Sequence, residues 1–105
     1  MSYALALRTL IVVAYDENGG FWDHAPVPVA DPWGPGTRVP ALIISPLAKR
    51  GFVDKTQYDT GSILRFITRR WKLEPLPGVQ MRDDALKANG LPPMGDLSAA
   101  LRAAG

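Results

Sequence analysis

The sequence predicts an α/β fold with a mostly parallel sheet. Two short apolar runs rich in β-branched residues, 9–15 and 38–45, have the composition of strands buried on both faces. A segment with helical periodicity, from Asp59 to Trp71, follows the second run. The order of strand, long loop, strand and helix is typical of layered α/β architectures. At 105 residues the chain forms one domain at most.

The first run reads Thr-Leu-Ile-Val-Val-Ala-Tyr and is too short for a typical helix. The second begins at Arg38 and carries Pro40 near its start, where the missing N–H disturbs a sheet least. A long proline-rich loop with three aromatic residues joins the runs, and loops of that length are usually functional or disordered. We expect the runs to form neighbouring parallel strands.

A helix is expected from Asp59 or Thr60, either of which can cap it, to about Trp71. The apolar residues that share one face of this helix are Ile63, Leu64, Phe66, Ile67 and Trp71.

After Pro75 the chain is expected to be irregular, with a short helix from Asp83 to Asn89 and another that starts at Asp96. The prediction is therefore a single partial domain over 1–105. The core strands and helix cover about 9–73, and an irregular C-terminal tail covers about 74–105.

The domain is called partial because two parallel strands cannot cover the edges or both faces of their own sheet. The strands have the character of interior strands in a larger sheet. A small self-sufficient α/β domain is the alternative, and the composition of the strands favours the fragment.

Composition limits what the sequence as a whole indicates about function. A formal net charge of +2 is too weak to indicate nucleic acid or an anionic membrane as partner. The chain has no cysteine, which excludes thiolate metal sites and disulfides. Nothing approaches the roughly 18 apolar residues of a membrane span. Residues 1–15 lack the basic start and cleavage site of a signal peptide, so the sequence leaves the localisation unassigned.

Chemistry is concentrated where the first strand ends. Asp16 and Glu17 follow it directly, at the position where α/β sheets bind ligands. Adjacent carboxylates repel each other, and a divalent cation with oxygen ligands would relieve that repulsion. Gly19 and Gly20 allow a tight turn. The alternative is a solvated turn built from ordinary turn formers. From these residues alone, that interpretation is slightly the better one.

His24, in the same loop, has two interpretations of similar weight. It can be a structural hydrogen-bond partner of Asp23 or of the backbone, or it can bind phosphate or act as an acid.

Several ordered motifs, taken together, resemble one family of enzymes. They are Thr9-Leu-Ile-Val-Val-Ala-Tyr-Asp-Glu-Asn-Gly-Gly-Phe-Trp-Asp-His24, Trp33-Gly-Pro-Gly-Thr-Arg-Val-Pro40, Ile43-Ile-Ser-Pro46, Lys49-Arg-Gly-Phe-Val-Asp54, Gln57-Tyr-Asp-Thr-Gly-Ser-Ile-Leu-Arg-Phe-Ile67 and the weaker Gly95-Asp-Leu. The chain resembles the phosphoesterase family of bacterial phosphatidylcholine-type phospholipases C and acid phosphatases, within the alkaline phosphatase-like superfamily. The similarity covers nearly the whole chain from Thr9 and corresponds only to the C-terminal part of the family's large α/β sandwich.

The resemblance implies metal-dependent hydrolysis of a phosphoester, with a phospholipid and a phosphomonoester both open as substrate. It implies that Asp16 and Glu17 ligate a divalent metal ion and that His24 contacts substrate or orients the loop. The family's Ser or Thr nucleophile has no counterpart here, so no catalytic residue is assigned. Ser45 and Ser62 occupy other positions of the family pattern and are expected to be structural.

The sequence departs from the family pattern at three places. They are Ala25-Pro-Val-Pro28 after the histidine, Gly61 where a Thr is common, and Lys55 where many members have His. The first makes it harder to say how the loop positions His24. The second weakens the start of the helix, because glycine is a poor helix residue. The resemblance also implies that complete members of this family are often exported.

Two further interpretations belong to another class. The chain can be a non-catalytic fragment or subunit that needs a missing N-terminal half or self-association, or a truncated gene product without a function of its own.

Overall fold

A computed structural model describes residues 8–103. The strands are β1 (Ile11–Ala14) and β2 (Ala41–Ile44), and the helices are α1 (Thr60–Trp71) and α2 (Pro77–Ala88), with a 3₁₀ turn at Ser98–Ala100. The predicted α/β class is confirmed at this level. The alkaline phosphatase-like sandwich stays a prediction.

The two strands pair directly, but they run antiparallel, so the expectation of parallel strands is wrong. Ile11 pairs with Ile44, and Ala14 pairs with Ala41. Parallel neighbours need a crossover that returns the chain to the same end of the sheet, usually through a helix. The connection between β1 and β2 contains no helix, so the chain reverses and re-enters the sheet from the end where β1 stopped.

The strands are also more exposed than their composition predicts. Both faces were expected to be buried, yet most residues of β1 and β2 are exposed. Register places Ile11, Val13, Leu42 and Ile44 on one face, and all four are exposed large aliphatic residues. No layer within residues 8–103 covers these four residues, which form the open sheet face.

Helix α1 begins and ends where the sequence predicts. Asp59 is its N-cap, and the backbone N–H of Asp59 donates to Ser62 Oγ at 3.1 Å in a capping box. Ser62 is fully buried, which fits the structural role expected for it. The apolar face of α1 is largely open, however, since Ile63, Leu64 and the other large apolar residues of that face are exposed or only half-buried.

Helix α2 starts earlier than expected. The short helix predicted from Asp83 instead begins at Pro77, which occupies the first helical position, where its missing N–H has no partner to lose. It ends before Asn89, whose side-chain Nδ2 donates to Ala85 O at 2.9 Å. The region expected to be an irregular tail therefore contains a regular three-turn helix.

That same region supplies most of the small core. The buried apolar residues are Ala48, Leu86, Met94, Leu97 and Ala100. The C-terminal segment is tied to the loop after β2 by an antiparallel bridge between Ala48 and Leu101. Among residues 8–103, no helix is long and apolar enough to cross a membrane.

Candidate functional site

The acidic turn, residues 16–20, follows β1 and closes on itself. Asp16 Oδ1 accepts a hydrogen bond from the Glu17 N–H at 3.1 Å, and Glu17 Oε2 accepts from the Gly19 N–H at 2.8 Å. Gly19 and Gly20 have φ of 60° and 86°, which glycine adopts at little steric cost. Both carboxylates are exposed. Each therefore has one oxygen turned to the backbone of the turn and a second oxygen without a hydrogen-bond partner among residues 8–103.

The antiparallel pairing brings the approach to β2 beside this turn. Asn18 Nδ2 donates to Thr37 Oγ1, and Arg38 Nε donates to Asp23 Oδ2. A hydrogen bond from the Ala25 N–H and the Arg38 guanidinium lower the pKa of Asp23 below its usual range. Parallel strands would have placed residues 37–40 at the opposite end of the sheet, so sequence reasoning missed these contacts.

A surface groove of about 390 Å³ lies where the two segments meet. It is lined by Tyr15, Asn18, Phe21, Trp22, Asp23, Arg38, Val39 and Pro40. The groove is adjacent in sequence to Asp16, and Arg38 gives it one cationic group. It is the place beside the acidic turn where a substrate could lie.

His24 lies in the same loop and has an unusual backbone conformation. Its φ is 64°, a left-handed conformation that few residues other than glycine adopt, although histidine is enriched there together with asparagine and aspartate. The exposed imidazole lies against Trp22, with ring centroids 5.9 Å apart and an edge-to-face angle of 71°. The carboxylate of Asp23 accepts hydrogen bonds from the Ala25 N–H and from Arg38. Both interpretations of His24 stay predictions.

A divalent metal ion suits the chemistry of the acidic turn, since carboxylate oxygens are the ligands that hard cations prefer. The donor set is incomplete, however. Within residues 8–103, no group of three or more His, Cys, Asp or Glu side chains is placed to hold a metal. Asp16 and Glu17 by themselves would supply only two ligands, and their role as metal ligands stays a prediction.

The hydroxyl groups of Ser45 and Ser62 both accept hydrogen bonds from backbone N–H groups. Ser45 Oγ accepts a hydrogen bond from the Leu47 N–H at 3.2 Å, and Ser62 belongs to the cap of α1. Both contacts agree with the structural role expected for these serines.

A partly buried ion-pair network joins the long loop to both helices. Arg82 of α2 donates to Asp31 of the loop and, at 2.9 Å, to Asp59 at the cap of α1. Arg65 of α1 contacts Asp59 at 3.3 Å and Asp83 of α2 at 2.5 Å. Hydrogen bonding from Arg82 lowers the pKa of Asp31. Sequence reasoning missed this network, because its members are spread along the chain without a shared motif.

Comparison with known proteins identifies the family of this chain. The model of the phosphoesterase family matches residues 2–74, which is more than half of the chain. The chain belongs to the phosphoesterase family. The match includes the acidic turn, the long loop, both strands and α1, and it ends before α2.

Individual relatives of this phosphoesterase-family chain are phospholipases C. It is 37% identical over 87 residues to the hemolytic phospholipase C of Pseudomonas aeruginosa, with 61% of this chain and 12% of that protein covered. Phospholipase C B of Mycobacterium tuberculosis is 30% identical over 102 residues, covering 74% of this chain and 19% of the relative. Non-specific phospholipase C3 of Arabidopsis thaliana is 42% identical over 60 residues, covering 42% of this chain and 12% of the relative.

The chain thus spans less than a fifth of the length of these curated relatives. No solved structure matches it.

Proposed function

We propose that this chain contributes the C-terminal part of a metal-dependent phosphoester hydrolase of the phospholipase C type, with Asp16 and Glu17 as two ligands of a divalent metal ion. The acidic turn at the end of β1, beside a groove and within the segment that matches the family, is the observation that carries the proposal. Relatives named as phospholipases C favour a phospholipid over a simple phosphomonoester such as an acid phosphatase would use.

Each residue of the site has a distinct task in this proposal. Asp16 and Glu17 each present one free oxygen to the cation, because backbone N–H groups hold the other oxygen in place. A bound divalent cation would neutralise charge on the phosphoryl group and activate the nucleophile. Asn18 and Thr37 keep the turn against the approach to β2. His24, held by the loop against Trp22, faces the substrate.

The proposal includes inactivity of the 105-residue chain by itself. Two carboxylates hold a divalent ion weakly, because water fills the unmet coordination positions. The open sheet face and the open apolar face of α1 favour a chain that works when docked against another protein surface. A non-catalytic subunit or fragment that requires such a complement is the second candidate function, and the same two faces favour it.

The first experiment tests whether the isolated chain is inactive. We expect no turnover of a chromogenic phosphoester by the purified chain with Mg²⁺, Mn²⁺, Ca²⁺ or Zn²⁺. Turnover that survives repurification and disappears in Asp16→Ala would contradict inactivity and show that the chain holds a complete site.

The second experiment tests the ligands. Residues 9–74 replace the matching segment of the Pseudomonas relative, and Asp16→Asn or Glu17→Gln is introduced. Each substitution keeps the shape of the side chain but removes one charge from the cation site, so activity and metal content should both fall at least about tenfold. Glu74→Gln, an exposed carboxylate in the same segment, is the matched control and should change neither. Full activity and metal content in both acidic variants would reduce the turn to a structural feature.

A further inference from the structure

Residues 47–55, named the basic–apolar loop, connect β2 to the segment before α1 and expose two kinds of side chain together. Its exposed apolar residues are Leu47, Phe52 and Val53, and its exposed cations are Lys49, Arg50 and Lys55. Val53 is 79% exposed. The charge of the whole chain is only +2, but this loop carries three cations and a single carboxylate.

The loop is held firmly at both ends. On one side, the Lys49 N–H donates to Ala100 O at 2.9 Å and the Arg102 N–H donates to Leu47 O at 2.8 Å. On the other side, the carboxylate of Asp54 accepts from the Tyr58 hydroxyl at 2.5 Å and from the Thr56 N–H at 2.9 Å. The one acidic group of the loop is thus engaged within the protein. The cations are left as the charges that meet solvent.

Cationic and apolar groups share one surface here. Lys49 Nζ lies 4.5 Å from the centroid of the Phe52 ring, so an ammonium group and an aromatic ring sit side by side. Apolar side chains that enter the boundary of a bilayer while neighbouring Lys and Arg reach its phosphates are the recurring chemistry of peripheral membrane contacts. Nucleic acid would use the cations but would leave Val53 and Leu47 without a partner.

We propose that the basic–apolar loop binds the surface of an anionic phospholipid bilayer, with Phe52 and Val53 at the headgroup boundary and Lys49, Arg50 and Lys55 on the phosphates. This contact lies outside the acidic turn and does not depend on the metal site. It would place the chain on a lipid surface without a membrane-spanning segment.

Co-sedimentation of the full chain with vesicles tests the proposal. Binding is expected to vesicles of phosphatidylcholine with phosphatidylserine, to weaken as salt rises, and to be much weaker with phosphatidylcholine alone. Each basic residue near such a surface contributes about a fivefold change in affinity, so Lys49→Gln with Arg50→Gln should weaken binding about 25-fold. Removal of Phe52 by Phe52→Ser should cost about fivefold.

Matched variants separate a specific surface from general stickiness. Arg70→Gln with Lys72→Gln removes two exposed cations at the C-terminal end of α1, and Leu42→Ser removes one exposed apolar residue of the open sheet face. Both should keep vesicle binding within about twofold of the unchanged chain, as surface substitutions away from a contact do. Circular dichroism of every variant checks the fold.

Three outcomes would overturn the proposal. They are equal binding to neutral vesicles, an equal loss in the α1 control, and no loss on removing Lys49 and Arg50. Asp16→Asn with Glu17→Gln should bind vesicles like the unchanged chain, so failure of the metal site and failure of this surface are distinguishable.

Discussion

Gly61 lies where side-chain space is scarce, in the first turn of α1. A Cβ built there would lie 3.0 Å from Asp59 Oδ1 and 3.1 Å from Arg65 Nη1. At the sequence level this glycine only weakens the start of a helix. The structure supplies a compensating reason for it, because the ion pair between Asp59 and Arg65 occupies the volume that a Thr side chain would need.

Substitution at Gly61 should therefore destabilise the chain, although glycine is a poor helix residue. Gly61→Thr is expected to lower the free energy of unfolding by about 1–2 kcal/mol, because the ion pair must move apart. Gly78→Ala in the first turn of α2 is the matched control, since nothing lies within 4 Å of a Cβ there. It should raise stability by about 0.5–1 kcal/mol. Urea unfolding measures both, and equal effects would contradict the steric argument.

The raised pKa of Tyr58 predicts that the chain loses stability at high pH. Burial and the hydrogen bond to Asp54 raise the pKa of Tyr58 to about 12, above the value of about 10 in an unfolded chain. The folded state therefore holds this proton more tightly, so the stabilisation is complete below about pH 10 and is lost as pH rises toward about 12. Unfolding free energies measured across this range should fall less steeply in Tyr58→Phe. Tyr15→Phe, at an exposed tyrosine, should keep the slope of the unchanged chain, and identical slopes in all three proteins would refute the assignment.

At the scale of elements, Arg82 joins three parts of the chain. Its guanidinium contacts Asp31 in the long loop and Asp59 at the cap of α1, although α2 lies outside the matched family segment. Arg82→Met would leave the carboxylate of Asp31, which is 4% exposed, without its arginine and would leave Asp59 with Arg65 alone, so we expect a loss of about 2–3 kcal/mol in unfolding free energy. Arg69→Met breaks an ion pair with Asp96 in which the arginine is 72% exposed, and should cost about 0.5 kcal/mol. Similar losses in the two variants would show that Arg82 does not anchor the loop.

Local signals predicted elements well and their arrangement poorly. The cap at Asp59 and the apolar spacing after it located α1, because these signals lie within a few residues of each other. Strand composition located β1 and β2 but not their direction, which depends on how the long connection returns. The pair of Asp31 and Arg82 spans 51 positions, and no spacing rule links two such residues. The positions of Asp16 and Glu17 after β1 could be read from sequence, while their neighbours Thr37 and Arg38 could not.

At the scale of the whole molecule, the exposed surface area is unusually large. The chain exposes 8208 Å², whereas a folded monomer of this length exposes about 5800 Å². Helix α1 turns Arg65 toward α2 and leaves Ile63, Leu64 and Ile67 largely open. A helix normally buries its apolar stripe and exposes its charges. This partial inversion and the open sheet face both favour the proposed docking against another protein surface.

The open sheet face should make the purified chain associate with itself and bind apolar dyes. Ile11, Val13, Leu42 and Ile44 lie together on that face, and a contiguous apolar patch of this kind is unfavourable in water. Val13→Thr with Leu42→Thr keeps the β-branched or strand-compatible character of a directly paired position while making it more polar. Sedimentation velocity should then show less association, and fluorescence of 8-anilinonaphthalene-1-sulfonate should fall.

Val29→Thr is the matched control for that experiment, because Val29 is 66% exposed but lies in the long loop, outside the sheet. It should leave association and dye binding nearly unchanged, since a single side chain in a loop does not build a patch. If the unchanged chain is a monomer that binds no dye at concentrations above about 100 μM, the sheet face must be covered in solution. The requirement for a complementary surface would then fall, because the usual driving force for docking, burial of apolar area, would be absent.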